Sequence, residues 1–152
     1  ARVVDALRVS GLATQYLELE ITESLIMQDV DQAVKTMEEL RRLGVQLSID
    51  DFGTGYSSLN ALKTFPVARL KIDKSFINNL GNSEGDRAVA AAVISLGQKL
   101  NLRVIAEGVE TAEQLAFLRD NNCDEIQGYY FSKPVTSEAL ADLLRKHAVL
   151  AL

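Results

Sequence analysis

Five short stretches with strand-like patterning recur along the 152 residues, and a helical pattern separates each from the next. Residues 16–21 (YLELEI) and 45–50 (VQLSID) alternate apolar and polar side chains; 67–72, 102–107 and a short piece within 124–131 are weaker versions. Between them, residues 29–43 place Val30, Ala33, Val34, Met37 and Leu40 on one helical stripe, with Asp29 and Gln32 spaced as a capping box and Gly44 suited to the C-terminal end. Residues 86–100 repeat the pattern through Val89, Val93, Leu96 and Leu100, Thr111 with Gln114 opens a third helix, and Thr136 or Ser137 opens a last one. Strand–helix alternation of this kind implies parallel strands joined by crossover helices. The expected fold is therefore α/β, with about five βα units in a single domain over residues 1–152 and one short loop at 80–86. An eight-unit barrel takes ~250 residues, so the chain is either a smaller open sheet or the C-terminal part of something larger.

Composition narrows the function classes. A chain 47% hydrophobic and 24% charged fits a globular domain, and no run reaches the ~20 apolar residues of a membrane span. The opening ARVVDALRVSG lacks the apolar core and cleavage site of a signal peptide, so the expected compartment is the cytoplasm, with no membrane contact by this segment; an anchor elsewhere in a parent protein would be invisible here. A single cysteine, Cys123, excludes an intramolecular disulfide and a cysteine-based metal site, and reads as a core filler. Net charge −5 without a basic block argues against a nucleic acid polymer as partner.

The strand ends carry the chemistry. Glu20 and Glu23 close the first strand pattern, Asp50 and Asp51 the second, Lys71 and Asp73 the third, Glu107 and Glu110 the fourth, and Gln127 the fifth. In parallel α/β folds these ends share one rim, where ligands bind. Like charges there repel by roughly 4 kcal/mol per pair at 4 Å and an effective dielectric near 20, which divalent cations relieve. Oxygen donors without thiols or a usable histidine point to Mg²⁺ or Mn²⁺, with Ca²⁺ as an inhibitory or structural option. Adjacent aspartates suit two metals about 3.5–4 Å apart, the arrangement that cleaves phosphoesters. The plainer readings stand beside this one: adjacent acids are commonly solvated or helix caps, Lys71 a snorkelling lysine, and His147 a surface residue. GTGYSS is a weak phosphate cradle, and Gly53 and Gly55 more safely mark a turn with positive φ.

The segments LELEITES, IDDFGTGYSSL, LKIDKSFI, VIAEGVET and QGYYFSKP, collinear from residue 17 to 134, resemble the EAL-domain phosphodiesterases. The resemblance implies an incomplete TIM-type (β/α) barrel with a two-metal Mg²⁺ or Mn²⁺ site, inhibited by Ca²⁺, that hydrolyses cyclic di-GMP to linear pGpG. It also implies residue roles: Glu20 on the first metal, Asp50 and Asp51 holding or bridging the pair, Glu107 on the second, Lys71 on the attacking water and phosphate, and Gln127 in the same network. Glu23 corresponds to the acid that anchors the loop after the aspartates, while Asp73, Glu110 and Pro134 fall where the family lines its substrate pocket. Residues 50–62 correspond to the loop and helix that join the family's barrels into homodimers. The signature Glu-Ala-Leu and an Asn-Leu-Ser motif, expected on the first two strands, do not precede these segments; the EAL at residues 138–140 lies on the last helix and is a coincidence. The resemblance therefore makes the chain the C-terminal portion of such a domain, expected to be weakly active or inactive alone and to expose open sheet edges. The alternative is a non-catalytic cyclic-dinucleotide-binding or dimerisation module.

Overall fold

The computed structural model describes residues 2–55 and 59–145. Its elements run α1 (Arg2–Ser10), a 3-10 turn (Thr14–Tyr16), β1 (Glu18–Thr22), α2 (Glu23–Ile26), α3 (Val30–Arg42), β2 (Gln46–Phe52), α4 (Leu59–Leu62), β3 (Arg69–Ile72), α5 (Lys74–Asn78), α6 (Glu84–Lys99), β4 (Arg103–Glu107), α7 (Ala112–Asp120), β5 (Glu125–Gln127) and α8 (Ser137–Arg145). The strands form one parallel sheet in chain order, β1-β2-β3-β4-β5. Each strand is laid beside its predecessor in the same sense, which is how consecutive βα units build the arc of a barrel.

Strand alternation separates the two faces of this sheet. One face turns Leu47, Ile49, Leu70, Ile72, Val104 and Ala106 into a buried core shared with Met37 of α3, Ile77 of α5, Val93 and Ile94 of α6 and Leu118 of α7. The alternate positions along the five strands include Glu18, Glu20, Ser48, Asp50, Arg69, Lys71, Arg103, Glu107, Glu125 and Gln127, with Ile105 among them, so the face that a barrel would turn inward is mostly polar. α6 lies very close to β4: a Cβ added at Gly97 would stand 2.2 Å from Val104 Cγ2. Only a residue without a side chain admits that approach.

The helix ends follow their sequence signals with some revisions. Asp29 accepts from the Gln32 N–H at 3.0 Å, but Gln32 turns its amide to Thr36 rather than completing a capping box. Thr111 and Gln114 form the reciprocal box. Ser83 accepts from the Asp86 N–H and starts α6 two residues earlier than the apolar stripe implies, which shortens the 80–86 loop. The strands begin one to two residues later than the alternation suggests, and β2 runs two residues further, through a register irregularity between Ile49 and Phe52. α1, α2 and α5 are additions: short or solvent-facing helices whose stripes are too brief to read from periodicity.

Among the described residues, β1 and β5 are the two edges of the sheet. Exposed apolar side chains flank these strands in the chain: Val9, Leu12 and Tyr16 before β1, and Tyr129, Phe131 and Leu144 after β5. No helix of the described residues is long and apolar enough to cross a membrane.

Candidate active site

Lys71 is the centre of the rim. It lies on the polar face of β3, is only 4% exposed, and its Nζ is 2.6 Å from Glu20 Oε1, 3.2 Å from Asp50 Oδ1 and 2.6 Å from Glu107 Oε1. These partners sit on β1, β2 and β4, so parallel pairing brings together four residues separated by up to 87 positions in the chain (107 − 20). Burial alone would lower the pKa of an ammonium, but hydrogen bonds to Glu107, Glu20 and Asp50 outweigh it and hold Lys71 well above its ordinary value of 10.5. The lysine is thus a fixed charge of the site and not a snorkelling side chain.

Asp51 follows on a strained backbone, with φ of +54°. That left-handed conformation turns the chain sharply at the strand end, and the Asp51 N–H meets Asp50 Oδ1 at 3.1 Å. Burial first, then the Asp50 charge and a shared hydrogen bond with Asp73, push the Asp51 carboxyl above the ordinary range. Asp73 goes the other way: burial would raise it, but the Ser75 hydroxyl and backbone N–H both donate to its carboxylate and lower it. The neighbouring acids are therefore shifted in opposite directions.

Glu23 opens α2 and is 1% exposed; its Oε2 accepts from the Gly53 N–H at 2.8 Å. Gly53 has φ of +98°, as its place in the turn requires, whereas Gly55 does not adopt positive φ. Gly55 is needed for space instead, since a Cβ there would stand 2.6 Å from Glu23 Oε1. Gln127 ends β5 in register with Glu107, exposed and within the polar face. Glu110 and Pro134 lie on exposed loops after β4 and β5; the Glu110 backbone N–H is tied to Gln114 Oε1 at 2.7 Å, and neither residue's side chain has a recorded polar contact with the lysine cluster. Residues 56–58 of the expected dimer segment, and His147, lie outside the described residues. Cys123 is a core residue whose thiol burial pushes up to about 11.

A second group of charges, not expected from the sequence, lies two residues below the rim on the same face. Arg69 pairs with Glu18 and lies 3.6 Å from Glu125, which Arg103 also reaches at 3.4 Å. The signal was present, since each of these residues stands at i−2 or i−4 from a rim residue on an alternating strand, but their chemistry is self-cancelling and draws no ligand argument.

The rim suits a hard divalent cation: its donors are all oxygens, and three carboxylates already converge on one positive charge. Among the described residues no three acidic, histidine or cysteine side chains form a ready-made cage; the carboxylates converge on the ammonium instead.

A parallel α/β sheet with helices on one face and an acid-lined rim at its strand ends belongs to the barrel class of folds. The EAL domain family model matches residues 1–134, and the chain belongs to that family. It is 53% identical over 142 residues to the cyclic di-GMP phosphodiesterase NbdA of Pseudomonas aeruginosa, a match covering 93% of this chain and 18% of that protein. Among solved structures it resembles the phosphodiesterase PaMucR in complex with c-di-GMP, at 46% identity and TM-score 0.88, over 91% of this chain and 56% of that one. Klebsiella pneumoniae BlrP1, solved with manganese and cyclic di-GMP and also with calcium and cyclic di-GMP, matches at 34% identity and TM-score 0.80, covering 88% of this chain and 34% of that one. The chain thus spans about a fifth of the length of the curated relative, 18%.

Proposed function

We propose that this chain supplies five strands and most of the acidic rim of a metal-dependent phosphodiesterase that hydrolyses cyclic di-GMP to linear pGpG. The observation that carries the reading is the convergence of Glu20, Asp50 and Glu107 on Lys71 at the strand ends, in a chain whose relatives include proteins named for that activity. Glu20, Asp50, Asp51 and Glu107 are the residues that would hold two Mg²⁺ or Mn²⁺ ions, which when bound would supply Lewis-acid stabilisation of the phosphate and lower the pKa of the attacking water. The manganese and calcium complexes of BlrP1 support divalent metals as the class; Ca²⁺ as an inhibitory ion is part of the proposal.

Lys71 carries a full positive charge at any working pH and donates to the attacking water and to the phosphate oxygens. Gln127, beside Glu107 in register, orients the same water. Glu23 fixes the turn at Gly53 and so the approach of the Asp50–Asp51 pair. Asp73, Glu110 and Pro134 line the nucleotide pocket. Residues 50–62 join two copies as a homodimer, in the cytoplasm, so the turn that Glu23 anchors serves site and interface together. One P–O bond of the cyclic dinucleotide is cleaved and the elements of water are added.

The test is a cyclic di-GMP hydrolysis assay in Mn²⁺ on this chain and on a version extended upstream through Glu-Ala-Leu and Asn-Leu-Ser motifs. The extended version turns substrate over and the 152-residue chain shows little or no turnover. Glu107→Gln in the extended version lowers kcat by about a hundredfold or more. Binding without turnover in every version would favour the non-catalytic module instead.

A further inference from the structure

The polar face of the sheet carries charge in two layers, and only one of them is balanced. In the lower layer Glu18 and Glu125 face Arg69 and Arg103, two acids against two bases. In the upper layer, among the described residues, Glu20, Asp50 and Glu107 face Lys71 alone, three acids against one base. The lower layer is balanced in formal charge, although Arg69 Nε lacks a hydrogen-bond partner, while the upper one is left with two negative charges, and Asp51 and Asp73 stand beside it. The lower bases are engaged with their own acids, so Lys71 is the cation that the rim carboxylates share.

An ammonium has three N–H donors, and Lys71 finds a different carboxylate within 2.6, 3.2 and 2.6 Å of its nitrogen. The same three carboxylates are the ones a metal would use, and each gives the ammonium one oxygen and keeps the other. A divalent ion at about 2.0–2.2 Å from oxygens of this cluster would lie within a few ångströms of the ammonium at the same focus. The two cations repel each other there, so they compete for the carboxylates. We propose that Lys71 is the resident counter-cation of the metal-free site, and that a divalent ion enters by displacing its ammonium from Glu20, Asp50 and Glu107, so that this lysine limits how tightly the site takes metal. The inference rests on the reading that these carboxylates hold metal. The lysine then has two successive partners: the carboxylates while no metal is bound, and substrate oxygen once the metals have taken them. Removing it leaves three partly exposed acids repelling one another in the metal-free state, while a metal-loaded site has its charge supplied by the ions.

Mn²⁺ binding by titration calorimetry and thermal melting with and without Mn²⁺, on the unaltered chain, Lys71→Met and Arg69→Met, test this. Lys71→Met binds Mn²⁺ about tenfold more tightly or better, and its metal-free melting temperature falls by about 3 °C or more and is recovered by Mn²⁺. Arg69→Met loses the same charge one layer lower and changes Mn²⁺ affinity by less than about threefold. If the unaltered chain binds Mn²⁺ and Lys71→Met binds it no better, the lysine does not compete and the proposal falls while the metal reading stands. Equal tightening by both variants would mean a general charge effect and would also overturn it. Absence of Mn²⁺ binding in every protein, and also in the version extended through the upstream motifs, overturns the metal reading and the proposal with it. Should Lys71→Met fail to fold, NMR of the lysine ammonium protons in the unaltered chain decides: slow exchange at Lys71 that is lost as Mg²⁺ saturates supports displacement, and signals unchanged at saturation refute it.

Discussion

Glu23 acts on the site through the backbone. Its buried carboxylate holds the Gly53 N–H across a sequence separation of 30 residues, and Glu23→Ala removes the acceptor while leaving the strand below intact. Exchange of the Gly53 amide should rise by roughly tenfold or more, read by hydrogen exchange; unchanged protection would mean that the turn holds itself. Asp51 offers a prediction with a definite sign. An acid whose folded pKa is raised opposes folding once ionised, so Asp51→Asn raises the metal-free melting temperature at pH 7 by about 1–3 °C. The gain shrinks as pH falls through the raised Asp51 pKa, because the native carboxyl is then protonated too. Lys71 has the opposite linkage: its stabilisation is complete below its ordinary pKa of 10.5 and is lost only at higher pH. A melting temperature that falls on Asp51→Asn at pH 7 would contradict the assigned direction.

At the level of elements, the tightest contact is α6 on β4. Gly97→Ala forces a methyl into the Val104 side chain, and overpacking of this kind costs about 1–3 kcal/mol, measurable as a lower denaturant midpoint; an unchanged midpoint would show that α6 can slide outward freely. The same packing explains what the sequence did and did not disclose. The strands and long helices were legible because alternation and the 3.6-residue period are properties of local sequence, as in VQLSID and the Val30–Leu40 stripe. The rim residues were legible because each stands at or just after the end of a patterned strand. What escaped was decided by distant partners. Ser83 overrides the apolar stripe as the start of α6 because its hydroxyl meets the Asp86 N–H, and Gly55 is glycine because Glu23 lies against it, not because of its own φ. The Arg69–Glu18–Glu125 group depends on a register that no single strand encodes.

Over the whole molecule, a barrel-like arc with a polar inner face and two strand edges needs company. The exposed side chains that precede β1 and follow β5 in the chain, among them Tyr16, Tyr129 and Phe131, are apolar surface of the kind that association covers. The 152-residue chain should therefore self-associate with rising concentration in light scattering coupled to gel filtration, and a version extended through the upstream motifs should do so less; a chain monomeric throughout would mean that its edges are self-protected. The most direct measurement of the central claim is anomalous diffraction from crystals of the extended version soaked in Mn²⁺. Peaks bounded by Glu20, Asp50, Asp51 and Glu107, with the Lys71 ammonium moved off those carboxylates, are the predicted result. Manganese bound elsewhere, with Lys71 still held by all three acids at full soaking, would contradict it.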